Sequence, residues 1–226
     1  MCDTIKAMID AAQWDLTPQE AVELQLRLCG RVVLRDQFDR VRTVAGVDVR
    51  VTRGRGEGRC AIVVLSYPEL ETVDAVICEG SVNFPYIPGL LAFREVPLVL
   101  QAFARLHERP DLVFFDGHGL AHPRRFGLAC HAGVVLDVPS IGCAKSLLIG
   151  RYQEPGTVAG STSDLVAPEG DVVGKVVRTR TGVKPIFVSP GHRISIESAA
   201  RFALECTRGL RIPEPTRRAH ILLQQE

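Results

Sequence analysis

No C-x-x-C pair, no leader of basic then apolar residues and no membrane-length apolar run occur in this 226-residue chain. Each absence removes a class. The stretch MCDTIKAMIDAAQW has no basic region feeding an apolar one, so no secretory signal is read there. No apolar run is long enough to span a bilayer, so no membrane association is expected. Net charge is nearly absent: 27 Lys and Arg stand against 26 Asp and Glu, a formal +1. No global field therefore draws the chain to a polyanion, and any affinity for nucleic acid must come from local clustering. The seven cysteines are odd in number and scattered, which argues against both a disulfide framework and a zinc knuckle. Most sit in apolar runs such as RCAIVV at 59–64 and read as reduced core thiols of a cytoplasmic protein. The G-x-S-x-G elbow, the P-loop and H-E-x-x-H are missing too, so serine hydrolases, NTPases and zincins lose their usual signatures.

What is present is material for an ordinary core, with 46% hydrophobic residues and no internal repeat or low-complexity tract. One domain over 1–226 is the simplest organisation. Thr17-Pro18-Gln19-Glu20 reads as a capping box that opens a helix over 18–29, with Gly30 as its stop. Strand-like runs at 41–51, 59–67 and 72–84 follow, the first two separated by the RGRGEG turn. Such short connections favour an antiparallel meander. The pattern then alternates. A helix is expected from Pro97 to about Glu108, a buried strand at 111–115, a helix near 124–135 and a strand near 139–144. Strands near 171–178 and 184–188 and helices near 195–207 and 215–225 complete the chain, with 150–170 read as a surface loop. The expected fold class is α/β, a mixed central sheet flanked by helices.

Asp48 interrupts the apolar strand VAGVDV, where a buried carboxylate is costly unless paired or bound to a cation. Asp116 ends the apolar run DLVFF, and Glu95 lies two residues before Pro97, at the expected helix start. Taken singly, each also fits a solvent-facing acid or a helix-dipole partner. If the three converge, their repulsion calls for a hard cation such as Mg²⁺ or Mn²⁺, a site suited to phosphoryl transfer. In NFPYIPG, two prolines brace Tyr86, which either folds back on the core or projects as a wedge between bases. After Asp116, the segment GHGLAHPRR combines glycines for close approach with His122, a possible donor to a base, and two arginines. Lys145 follows a short apolar strand and suits either a carboxylate or a phosphate partner. SPGH at 189–192 has turn chemistry, and His192 and His220 are each ambiguous between packing and chemistry.

Together, VAGVDV, PYIPGLLAFRE, DGHGLAHPRRFGLACH, IGCAKS, PIFVSPGH and RIPEPTRRAH resemble the endonuclease V family, the deoxyinosine 3′-endonucleases, over about residues 15–224. The resemblance implies a ribonuclease H-like fold whose first three strands form an antiparallel meander. It implies hydrolysis of the second phosphodiester bond 3′ to deoxyinosine in damaged DNA, leaving 3′-hydroxyl and 5′-phosphate ends, with Mg²⁺ as cofactor and Mn²⁺ as a substitute. Asp48, Glu95 and Asp116 match the metal-binding acids, with Lys145 and His220 beside them as catalytic residues. Tyr86, flanked by Pro85, Ile87 and Pro88, matches the DNA wedge. Leu91, Gly117, His122 and Gly142 fall in the segments of the base pocket, and Arg94 and Asp111 match supporting positions. His118 receives no role. A monomer acting on DNA, or on inosine-containing RNA, is implied. The competing readings are another ribonuclease H-like nuclease, and a catalytically silent nucleic-acid-binding module on the same fold.

Overall fold

A computed structural model describes residues 14–52 and 56–225. Cys2, most of the N-terminal stretch and the first part of the RGRGEG turn lie outside the described residues. Helix α1 (Pro18–Cys29) begins where the capping box is written: Thr17 Oγ1 accepts from the Glu20 N–H, and Glu20 accepts in return from the Thr17 N–H at 2.7 Å. Such a cap is worth about 1 kcal/mol. Strands β1 (Thr43–Thr52), β2 (Glu57–Ser66) and β3 (Thr72–Ser81) form the antiparallel meander, with Val47 opposite Ile62 and Cys60 opposite Cys78. Helix α2 (Leu91–Phe103), β4 (Leu112–Phe115), α3 (Leu128–Leu136) and β5 (Ser140–Ala144) follow. Then come β6 (Thr162–Val166), β7 (Val172–Val177), β8 (Ile186–His192), α4 (Ile196–Glu205) and α5 (Glu214–Gln224).

All eight strands join one sheet in the order β3-β2-β1-β4-β5-β8-β7-β6. The β1–β4 and β4–β5 pairs are parallel and the rest antiparallel. Side chains alternate between two apolar layers because successive residues of a strand face opposite ways. Ala45, Val47, Val113 and Phe115 pack under α2 and α3, whereas Val44, Leu112 and Phe114 pack under α4 and α5. This mixed α/β sheet with helices on both faces is of the ribonuclease H type.

Four elements differ from the sequence reading, each for a physical reason. Pro97 does not open α2; it lies inside it, and the helix starts six residues earlier at Leu91. An internal proline costs about 3 kcal/mol, but eight apolar residues of α2 are buried around it, and their burial wins. Glu95 is therefore mid-helix rather than at a helix start. Residues 124–127 form a turn, Arg125 having φ +55°, and α3 begins only at Leu128. The supposed loop 150–170 contains β6, an edge strand whose polar Thr162, Ser163 and Asp164 conceal it, only Leu165 being buried. Ser189-Pro190-Gly191-His192 is the buried end of β8 and not a turn. The register there skips Gly191, because His192 faces Ser140 and Pro190 faces Ile141. Such a bulge lets a strand tolerate proline.

Candidate active site

Strand register brings the acids together. In the parallel β1–β4 pair, Val47 stands opposite Phe115, so the next residues, Asp48 and Asp116, are neighbours where β4 ends and β1 runs on. Phe115 in turn faces Gly142 on β5, which ends at Ala144, so Lys145 emerges at the same end of the sheet. Helix α2 supplies Glu95 from above. Asp48, Glu95, Asp116 and Lys145 thus line one cleft of about 360 Å³, together with His118 and Ser146.

A glycine lets the fifth residue arrive. Gly46 is two residues before Asp48 and so shares its face of β1. A Cβ on Gly46 would lie 1.9 Å from the Pro215 carbonyl carbon and 2.4 Å from the Thr216 nitrogen, so only glycine admits the first turn of α5 here. One helical turn after Thr216 comes His220, whose Nδ1 donates to Asp48 Oδ2 at 2.8 Å. On the other acid, Lys145 Nζ donates to Asp116 Oδ2.

The electrostatics of the cleft are those of crowded anions. Burial pushes the Glu95 carboxyl up to about 8, and the charges of Asp48 and Asp116 push the same way against Arg94. Among the described residues, no three His, Cys, Asp or Glu side chains are yet gathered into a ligand set. The carboxylates face one cleft, with Lys145 and His220 engaging two of them. The donors still fit a hard divalent cation: all are oxygens, and mutual repulsion is what a cation relieves. Asp48, Glu95 and Asp116 are the residues that would hold it.

A second cavity, of about 260 Å³, adjoins the first. Tyr86, Ile87, Pro88, Leu91, Gly117 and His122 line it, and it shares Gly117, His118, Leu128 and Ser146 with the acid cleft. Tyr86 does not fold back on the core: it is 71% exposed at the cavity mouth. Pro85 is exposed outside the lining. Gly142 is not in the lining either. It lies beneath, where a Cβ would meet Gly119 N at 2.5 Å and Gly117 O at 2.6 Å, so its role is to let the 117–119 turn sit on β5.

His122 is not the free donor to a base that its sequence context suggests. Its Nδ1 accepts the Arg124 backbone N–H at 3.2 Å, so the ring proton is on Nε2, which donates to Gly89 O at 3.0 Å. Burial pushes its pKa down to about 4, keeping the ring neutral. Both nitrogens are spent inside the protein, and neither is free to donate to a base.

The two supporting residues lie apart from the cleft. Asp111 Oδ2 accepts from the backbone N–H groups of Arg42 and Thr43 at 2.8 and 3.0 Å, fixing where β1 starts beside β4. That is about 16 Å from Asp48 at the usual strand rise. Arg94 Nη1 donates to Phe84 O at 2.9 Å, tying α2 to the segment that leads into the Tyr86 loop. His192 is buried in structure, with Nδ1 accepting from the Val33 N–H at 3.3 Å. Sequence reasoning missed His118, whose Nε2 donates to Ser146 O at 3.1 Å, and also Ser146, Leu147 and Leu148 as walls of the second cavity. The only signal for the leucines was a pair of large apolar residues beyond a strand end; both are more than two-fifths exposed.

The chain's relatives decide its family. The family model described as Endonuclease V matches residues 26–221. The chain belongs to the endonuclease V family. It is 51% identical to an endonuclease V of Gloeobacter violaceus over 92% of this chain and 85% of that one. The solved endonuclease V from Streptomyces avermitilis superposes with a TM-score of 0.90 at 45% identity, covering 95% of this chain and 94% of the other. An endonuclease V of Ciona intestinalis, solved in complex with a 24mer DNA containing an inosine followed by a ribo-adenosine, is 32% identical with a TM-score of 0.81. That match covers 92% of this chain and 96% of that one.

Proposed function

We propose that this member of the endonuclease V family is a metal-dependent DNA repair nuclease that recognises deoxyinosine and hydrolyses the second phosphodiester bond 3′ to it, leaving 3′-hydroxyl and 5′-phosphate ends. The observation that carries this reading is the shared wall of the two cavities. A base held under Tyr86 puts its own strand beside the acids. The Ciona complex with inosine-containing DNA supports the choice of lesion.

Tyr86 enters the space a displaced base leaves, and its ring stacks on the neighbours. The base is recognised without being removed. An inosine pair is weak, so extrusion costs less than the usual few kcal/mol. Asp48, Glu95 and Asp116 would hold Mg²⁺, or Mn²⁺ in its place, which would supply activation of water and stabilisation of the departing oxygen. Burial and the charges of Asp48 and Asp116 push the Glu95 carboxyl up to about 8, a direction that a bound cation would oppose. His220 Nδ1 orients the Asp48 carboxylate. Lys145, on leaving Asp116, places an ammonium where phosphate charge builds up. Leu91 and Gly117 shape the base pocket, and His122 stiffens its wall.

The six described cysteines are free thiols, consistent with a reducing cytoplasm. No helix among the described residues is long and apolar enough to cross a membrane. The protein is taken to act as a monomer. The ribo-adenosine in the Ciona ligand favours a second reading, cleavage of inosine in RNA. Nicking of inosine-DNA, inosine-RNA and undamaged DNA under single-turnover conditions separates the two. The expected result is cleavage of inosine-DNA above both others. Faster cleavage of inosine-RNA would transfer the function to RNA, and tight inosine binding without nicking in either metal would leave a binding module.

A further inference from the structure

Helix α1 stands behind the Tyr86 loop, and one of its side chains, Gln25, reaches the back wall of the second cavity. Gln25 is only 1% exposed. Its Nε2 donates to Gly89 O at 3.1 Å and to Phe126 O at 3.2 Å, while its Oε1 accepts from Arg124 Nε at 2.6 Å. The amide orientation is forced, since carbonyls only accept and a guanidinium only donates. The same Gly89 oxygen also accepts from Arg124 Nη2 at 2.7 Å and from His122 Nε2 at 3.0 Å. Three donors therefore converge on a carbonyl with two lone pairs, at the residue where the loop turns back with φ +81°.

We infer that Gln25, with Arg124 and His122, is a positioning residue that sets the Tyr86 wedge through the Gly89 carbonyl. Tyr86 itself is mostly solvent-exposed. Its aim is fixed instead by the two prolines and by the grip on Gly89, three residues on. Gln25 bridges the wedge loop and the 122–127 turn, so the wedge and one wall of the base pocket move as a unit. No contact of Gln25 with the acids is involved. The clamp acts on lesion extrusion rather than on bond cleavage, and this rests on the proposed function above.

The test is Gln25→Glu, which keeps size and the acceptor for Arg124 but turns a carboxylate toward two carbonyl oxygens. Arg124→Lys keeps the charge and loses the fork, and serves should the first variant fold poorly. Single-turnover nicking is measured on an inosine in duplex DNA and on the same inosine in single-stranded DNA, where no pair has to be opened. The ratio of duplex to single-strand rates is expected to fall roughly tenfold in either variant, the size of effect for losing such hydrogen bonds. In the Tyr86→Ala background, the Gln25 change is expected to lower that ratio no further, because both act through one step. An unchanged ratio, or a further full-sized drop in the double variant, overturns the inference while leaving the nuclease reading intact. Failure of the wild type to nick inosine at all would overturn that reading and the clamp with it.

Discussion

Replacing Tyr86 by alanine is expected to separate binding from folding. The side chain is 71% exposed and belongs to no buried cluster, so almost no packing is lost. Stability should stay within about 0.5 kcal/mol of wild type, as for surface substitutions in general. On the proposed wedge role, what is lost is a ring that stacks on bases around the displaced nucleotide, worth about 1–3 kcal/mol for each base stacked. That range corresponds to a fall in inosine-duplex affinity of roughly 5- to 150-fold. Undamaged duplex offers no space for the ring, so its affinity should change little. Fluorescence anisotropy of labelled duplexes in EDTA reads both affinities without cleavage, and a thermal melt reads stability. Equal retention of both affinities would remove the wedge. A lowered melting temperature would show that Tyr86 supports the fold instead.

Two further outcomes follow from packing and protonation. Gly46→Ala would drive a methyl into the Pro215–Thr216 backbone, so α5 must shift; a loss of about 3 kcal/mol by urea denaturation, the upper end for overpacking, is expected, together with loss of the Asp48–His220 contact. Wild-type stability in that variant would contradict the close approach. His131 is 1% exposed among Trp14, Phe93 and Phe126, and burial pushes its pKa from 6.5 down to about 3. Its contribution is full above pH 6.5 and falls with acid as the unfolded chain takes up the proton first, by about 3 kcal/mol at pH 4.5. Urea midpoints at pH 4.5 and 7.5 should therefore lie closer together in His131→Phe than in wild type. Equal separations would show that His131 carries no such penalty.

The parts of this fold that could be read in the sequence are those governed by local rules. The Thr17–Glu20 box, the meander after Gly30 and the apolar strand before Asp116 each write their own boundaries. Pro97, β6 and the end of β8 broke those rules because tertiary burial, an edge position and a bulge overrode them. The site divides the same way. Asp48 and Asp116 were conspicuous as acids in apolar strands, but nothing local joined them. Only the register of β1 against β4 makes them neighbours. Gly46 was visible in VAGVDV without its reason, which lies 169 residues further on at Pro215. Gln25 left no signal at all, since a glutamine on an amphipathic helix reads as surface. His122 was misread because its partners, Arg124 N and Gly89 O, are backbone atoms that no residue type discloses.

The central claim is that Asp48, Glu95 and Asp116 cut the strand whose inosine sits in the adjoining cavity. Its most direct test maps the cut on an inosine duplex in Mg²⁺, comparing wild type with Asp48→Asn and Asp116→Asn in single turnover. The wild type should cut once, at the second phosphodiester bond 3′ to inosine, and both variants should lose about a hundred- to a thousandfold in rate, a typical effect of removing a source of transition-state charge stabilisation. Wild-type rates in both variants, or a cut elsewhere on the strand, would contradict the account.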